Sequence, residues 1–226
     1  MSESAAPTES AASPSPTAPG ATFNGVAFDV AFSFQYPASW TVTNRGPDNQ
    51  EGGPFVITNE ANVEIASLEV RPVFSIGPCD RICADMDVTY LGEVPGRGTL
   101  GEKTYAVQTK AMDLTSRKDL QQANGWEDNV RLIVGVVGNP SDTPAEDPFH
   151  FQTLAGIDTH AKDSPLRPIT FAAQRHFRTM TEAKAYTSSS EYVQLQAMMG
   201  SLEATITTSS EGGASTPTTG EPSGRK

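Results

Sequence analysis

The chain has 226 residues, 27 acidic against 16 basic side chains, and a formal net charge of −11; at about 150 residues per domain this is one domain with tails or two very small domains. The sign of that charge excludes nucleic-acid and anionic-membrane binding through general electrostatics, which needs a clustered basic footprint. A hydrophobic content of 37% and a mean hydropathy of −0.36 exclude a membrane-spanning chain and leave part of it too poor in apolar surface to fold.

Residues 2–22 contain only Ser, Glu, Ala, Pro, Thr and Gly. With Pro7, Pro14, Pro16 and Pro19 among them, this composition predicts a disordered, extended linker over residues 1–22. The first large apolar side chain after Met1 is Phe23, and Ile206 is the last. One folded domain is therefore expected over residues 23–206, with a disordered tail over 207–226. No stretch has the length of a transmembrane helix or the layout of a signal peptide.

Within the domain, Phe28, Val30, Phe32 and Phe34 alternate with Asp29, Ala31, Ser33 and Gln35, a half-buried strand. A turn over residues 36–40 follows, and extended structure resumes from Trp40 to Thr43. Residues 48–54 read as a loop, and residues 54–58 and 63–70 as strands. Residues 71–87 hold Pro72, Gly77 and Pro78 and read as irregular, with a helical turn near Cys79. Residues 88–94 and 103–110 are extended and joined by a glycine-rich link. Residues 130–137 form the strongest strand pattern. Residues 149–154 fit a short strand or helix equally. Residues 169–177 complete the strands. Thr179 or Thr181 caps a first helix and Ser188 to Ser190 a second. Tyr192, Leu195, Met199 and Leu202 form its apolar stripe. Six or seven strands with helices gathered at the end make an α+β domain.

Cys79 and Cys83 are the only cysteines. On one helical turn their Cα atoms stand about 6 Å apart, within disulfide range. A local disulfide is the favoured reading. Two inert thiols and a thiolate metal or redox site stay open beside it. Zinc wants four ligands, and no second Cys or His pair supplies them.

Other signals read as structural. Gly96-Arg97-Gly98-Thr99-Leu100-Gly101 has the Gly-x-Gly-x-x-Gly form, but a strand follows where a phosphate cradle needs a helix; it reads as a flexible hairpin loop. Asp85-Met86-Asp87 lacks the glycine and closing glutamate of a calcium loop. Asp48 to Glu51 is an oxygen-rich loop. His150, His160 and His176 have no metal-face spacing, and His150 between Phe149 and Phe151 reads as structural. Asp158-Thr159-His160 places an acid near a base, without a nucleophile elbow. Arg167, Arg175 and Arg178 read as a solvated face. No motif calls for a cofactor.

Several segments, in order, resemble PsbP-like domains. Phe34-Gln35-Tyr36-Pro37-Ala38-Ser39-Trp40 is similar to their opening strand and turn, and Gly101 to Val107 to their central hairpin strand. Trp126 with Val130 to Val137 resembles the next long strand, and Tyr192 to Leu202 their C-terminal helix. The resemblance implies an antiparallel sheet sandwiched by helices, with the C-terminal helix packed across it. It is nearest to the exported bacterial lipoproteins of the LpqN kind, and it implies protein binding rather than shared catalytic residues. The Ala/Ser/Pro/Thr linker is similar to the region after the lipidated cysteine of such lipoproteins, Met1 standing where that cysteine would be. The expectation is a non-catalytic, extracytoplasmic binding or accessory module with an N-terminal lipid anchor and an unidentified protein partner. Two alternatives stay open: a cytoplasmic location, and an extracytoplasmic enzyme or metal-handling protein using Cys79, Cys83 and a nearby His.

Overall fold

A computed structural model describes residues 20–46, 53–71, 87–138, 155–159 and 166–207. Strands β1 (Ala21–Ala27) and β2 (Val30–Tyr36) form a hairpin, followed by β3 (Thr41–Asn44), β4 (Phe55–Thr58), β5 (Glu64–Val70), β6 (Asp87–Pro95) and β7 (Ala106–Asp113). After helix α1 (Lys118–Asn124) come β8 (Val130–Val137), β9 (Ala155–Asp158) and β10 (Leu166–Phe177). Helices α2 (Met180–Tyr186) and α3 (Ser190–Met199) precede β11 (Glu203–Ile206).

The strands make two sheets, and every ladder between them is antiparallel. The small sheet has the order β1-β2-β11. The large one runs β3-β4-β5-β10-β8-β7-β6, with β9 also on β10. Ile169 pairs with both Val70 and Ala155, and Ala172 with both Ser67 and Gly135. So β5 takes one side of the long β10, and β8 and β9 lie end to end along the other.

The main core lies between the inner face of the large sheet and a layer made of the small sheet, α2 and α3. The alternation in β2 drives Val30, Phe32 and Phe34 inward. Phe32 meets Phe55 and Phe34 meets Phe171, ring centroids 5.0 Å apart in each case. The predicted stripe of α3 is buried here: Tyr192, Leu195 and Met199, with Leu202 just beyond the helix. Thr179 Oγ1 accepts from the Glu182 amide and Ser189 Oγ from the Tyr192 amide, capping α2 and α3. On the opposite face of the large sheet, Met112, Leu114 and Ile133 pack with Val88, Leu120 and Trp126.

The fold is α+β and mainly antiparallel sheet, as expected, but eleven strands are present among the described residues. The excess over six or seven comes mainly from β1, β9 and β11, which are short or weakly patterned and gain their partners from distant chain. Phe28, read as part of the first strand, sits in the β1–β2 turn at φ 54°. Apart from residues 20–22 and 207, the two predicted disordered tails lie outside the described residues. So do Asp48 to Glu51, Cys79, Cys83, Asp85, Met86, residues 149–154, His150 and His160.

Candidate functional site

The outward rows of the large sheet carry the most concentrated polar chemistry. Register places residues side by side across β6, β7, β8 and β10. One rung is Val88–Met112–Arg131–His176, the next Tyr90–Lys110–Ile133–Gln174, and the third Glu93–Gln108–Gly135–Ala172. Tyr90 and Glu93 share a face only because a bulge intervenes. The β6–β7 register shifts between Tyr90 and Gly92, and Gly92 has φ +136°. A bulge of this kind re-aims one side chain relative to the alternation. It sends Leu91 and Val94 to the main core and turns Glu93 outward beside Tyr90.

The result is a polar cluster at the edge of the sheet. The Tyr90 hydroxyl donates to Glu93 Oε2 (3.3 Å), and Gln108 Nε2 donates to the same oxygen (2.7 Å). Burial, then the Glu93 charge and hydrogen bond, push the Tyr90 phenol up to about 12. At neutral pH it is a proton donor that holds the carboxylate in place. Tyr90 and Glu93 are exposed, whereas Gln108 and Lys110 are 6% and 2% exposed. The cluster thus has rigid roots and an accessible tip.

At the other end of the same rungs, the Arg131 guanidinium lies 4.6 Å from the centroid of the Trp126 ring, a cation–π contact. Its Nε and Nη2 donate to Gln174 Oε1 at 3.1 and 2.6 Å. His176 stands beside Trp126 with ring centroids 5.7 Å apart. Burial, then the Arg131 charge, hold the His176 imidazole below its ordinary value, so it is neutral at pH 7. The segment with α1 supports this corner. Lys118 Nζ donates to Gln121 Oε1 and Asn129 Oδ1, and Gln121 Nε2 donates to the Asp128 carbonyl.

The remaining sequence candidates have structural work. The glycine-rich link joins β6 to β7 but is docked rather than loose. Its Gly96, Arg97, Leu100 and Gly101 amides donate to the carbonyls of Tyr105, Gly200, Lys103 and Ala204. A Cβ on Gly98 would stand 2.1 Å from the Leu202 carbonyl oxygen. Arg97 Nη2 donates to the Ala197 carbonyl, and the buried Tyr105 hydroxyl donates to those of Met199 and Leu202. The loop therefore anchors the C-terminal end of α3. Asp158 pairs with Lys103 (2.7 Å) at the surface.

Arg167 and Arg175 are not a solvated face: their side chains are 17% and 19% exposed. Arg167 grips Asp29 through Nε and Nη2. Arg175 Nε and Nη2 donate to Glu191 Oε1, which also accepts from the Tyr186 hydroxyl. Partners 138 and 16 residues away give no local signal. Arg178 is exposed, its amide donating to Glu182 Oε2.

Sequence reasoning named His176 and Trp126 but not Tyr90, Glu93, Gln108, Lys110, Arg131 or Gln174. Gln108 and Lys110 between Val107, Thr109 and Ala111 do carry the signal of a polar outer row. The bulge that recruits Glu93 has no marker beyond Gly92. Among the described residues, no group of three or more His, Cys, Asp and Glu side chains is placed to hold a metal ion, and no helix is long and apolar enough to cross a membrane. Comparison with protein-family models, with curated proteins and with solved structures found no match.

Proposed function

We propose that the chain is a non-catalytic binding or accessory module that meets a protein partner through the bulged edge of β6. The observation that carries this reading is the Tyr90–Glu93–Gln108 cluster. It presents an exposed aromatic ring and an oriented carboxylate on a strand that ends the large sheet. Tyr is favoured at protein contacts because it offers a large, stiff surface with a polar tip. The bulge, Pro95 and the charges of Asp87 and Glu93 guard this edge against indiscriminate strand pairing. Recognition then falls to side chains.

The extracytoplasmic, lipid-anchored setting belongs to the same proposal. It is supported by the composition of residues 2–22 and by the PsbP-like segments. So does the finer description of the fold as a sheet sandwiched by helices, with the C-terminal helix across it. Its support is α3 lying against β2, β8 and β10, and Leu120 of α1 packing with the cluster on the other face.

Photo-crosslinking tests the contact. A photoreactive residue at Tyr90 is expected to give one discrete protein adduct in a membrane extract. The same residue at Val63, exposed in the β4–β5 turn, is expected to give none. Glu93→Lys should abolish the Tyr90 adduct. Equal labelling at both positions, or none at Tyr90, overturns the assignment.

A further inference from the structure

The strand edges among the described residues are unequal. The β6 edge is guarded as above. At β11, the Gly101 amide donates to the Ala204 carbonyl and the Ala204 amide to the Thr99 carbonyl, so the glycine-rich loop covers that edge. β3 is only four residues long. β1 has none of these protections. Its seven residues, Ala-Thr-Phe-Asn-Gly-Val-Ala, include no charge, no proline and no bulge. Val26 is 62% exposed, the most of any large apolar side chain described. A flat, neutral edge of this kind is a template for another strand.

The hairpin register says which groups β1 offers. Ala27 pairs with Val30 across a two-residue turn, Phe28–Asp29. The pair that closes such a turn exchanges hydrogen bonds within the hairpin, and the pattern alternates from there. Ala27, Gly25, Phe23 and Ala21 therefore spend their backbone groups on β2. Thr22, Asn24 and Val26 turn theirs outward. These positions are symmetric about Asn24, the middle residue of the strand.

We propose that β1 is a homodimer edge: two copies of the chain pair β1 with β1, antiparallel, on a two-fold axis through Asn24. In that register Asn24 faces Asn24 of the second copy, and Thr22 faces its Val26. All three kinds of outward residue meet outward residues, and each such pair exchanges two backbone hydrogen bonds. On the inner face, Phe23 faces Gly25 of the second copy, large against small. A two-fold interface must be self-complementary in this way. Shifting the register by one residue would set outward groups against spent ones. The net charge of −11 disfavours contact between copies generally, and β1 is an edge where no charged side chain of one copy faces the other. The pairing would join the small sheets into one, β11-β2-β1 running on through the axis. It uses a different edge from the proposed partner contact and does not rest on it.

The test uses the full chain. Sedimentation across a concentration series is expected to show a reversible monomer–dimer equilibrium. Val26→Lys, a charge on the solvent side of the edge, should raise the dimer dissociation constant by about tenfold or more, with thermal unfolding unchanged at concentrations where the native chain is monomeric. Cysteine placement reads the register. Cα atoms of a hydrogen-bonded pair stand about 5.5 Å apart, within disulfide range. Under mild oxidation Asn24→Cys should link to itself, identified as the symmetric cross-linked peptide by mass spectrometry. Thr22→Cys should link to Val26→Cys in a mixture and neither to itself. A monomer at every concentration, or a dimer indifferent to Val26→Lys and without the Asn24→Cys link, overturns the proposal.

Discussion

Thr109 Oγ1 stands 2.8 Å from the Tyr192 hydroxyl, and Gln196 Nε2 donates to that same hydroxyl at 2.7 Å. A hydroxyl pair inside the main core thus ties β7 to α3. Thr109 is fully buried, so a lost partner is not replaced by solvent. Tyr192→Phe is expected to destabilise the protein by ~1–3 kcal/mol in denaturant unfolding. The Thr109→Val/Tyr192→Phe pair should cost less than the sum of the single changes, because it removes donor and acceptor together. Strict additivity would mean that the two hydroxyls do not interact.

Asp29 and Arg167 give a pH signature. The Arg167 hydrogen bond holds the Asp29 carboxyl below its usual range. A lowered carboxylate contributes stability above its unfolded value, about 3.9, and loses it as pH falls through the folded value. Thermal melts from neutral pH down to about pH 2 should therefore fall more steeply for the native chain than for Asp29→Asn. The two curves should converge at the acid end. Parallel curves would refute the linkage.

Gly98 separates a docked loop from a phosphate-binding one. Gly98→Ala drives a methyl group into the Leu202 carbonyl and is expected to cost ~1–3 kcal/mol or more through overpacking. Stability unchanged by Gly98→Ala would show that the loop is not pressed against the end of α3.

His176 reports on the Trp126 corner. His176 is an exposed residue whose imidazole is shielded by Trp126 on one side, and Trp126→Ala removes that shielding. The imidazole pKa should then rise toward 6.5, read by NMR titration of the ring protons. Arg131→Gln should move it the same way by removing a like charge. A fall in either variant would contradict the assignment of cause.

Much of this architecture was legible in the residues. β8 has the bounds read for it, 130–137, because a long β-branched run leaves few alternatives. The two C-terminal helices announced themselves through Thr179, Ser189 and the 3–4 spacing from Tyr192 to Leu202. What stayed hidden depends on partners far along the chain. β1 directly follows a Ser/Pro-rich segment in the sequence and becomes a strand by pairing with β2. β11 is four residues long and owes its place to β2 as well. α1 has no side-chain N-cap, so its start carried no sign. The Tyr90–Glu93 cluster needed a bulge, and the Arg167–Asp29 pair needed a contact across most of the domain.

β1 and β11 flank β2 on opposite sides, both antiparallel to it. The chain enters the small sheet at Ala21, opposite Tyr36, and leaves it at Ile206, opposite Val30. At roughly 3.4 Å per residue those points lie about 20 Å apart along β2. Tension applied between the two ends of the domain would therefore run along the strands in opposite directions. Ladder bonds stand perpendicular to such a load, so they would be sheared together rather than peeled one by one. The short three-stranded sheet is thus a mechanical clamp, with β2 as its middle plate.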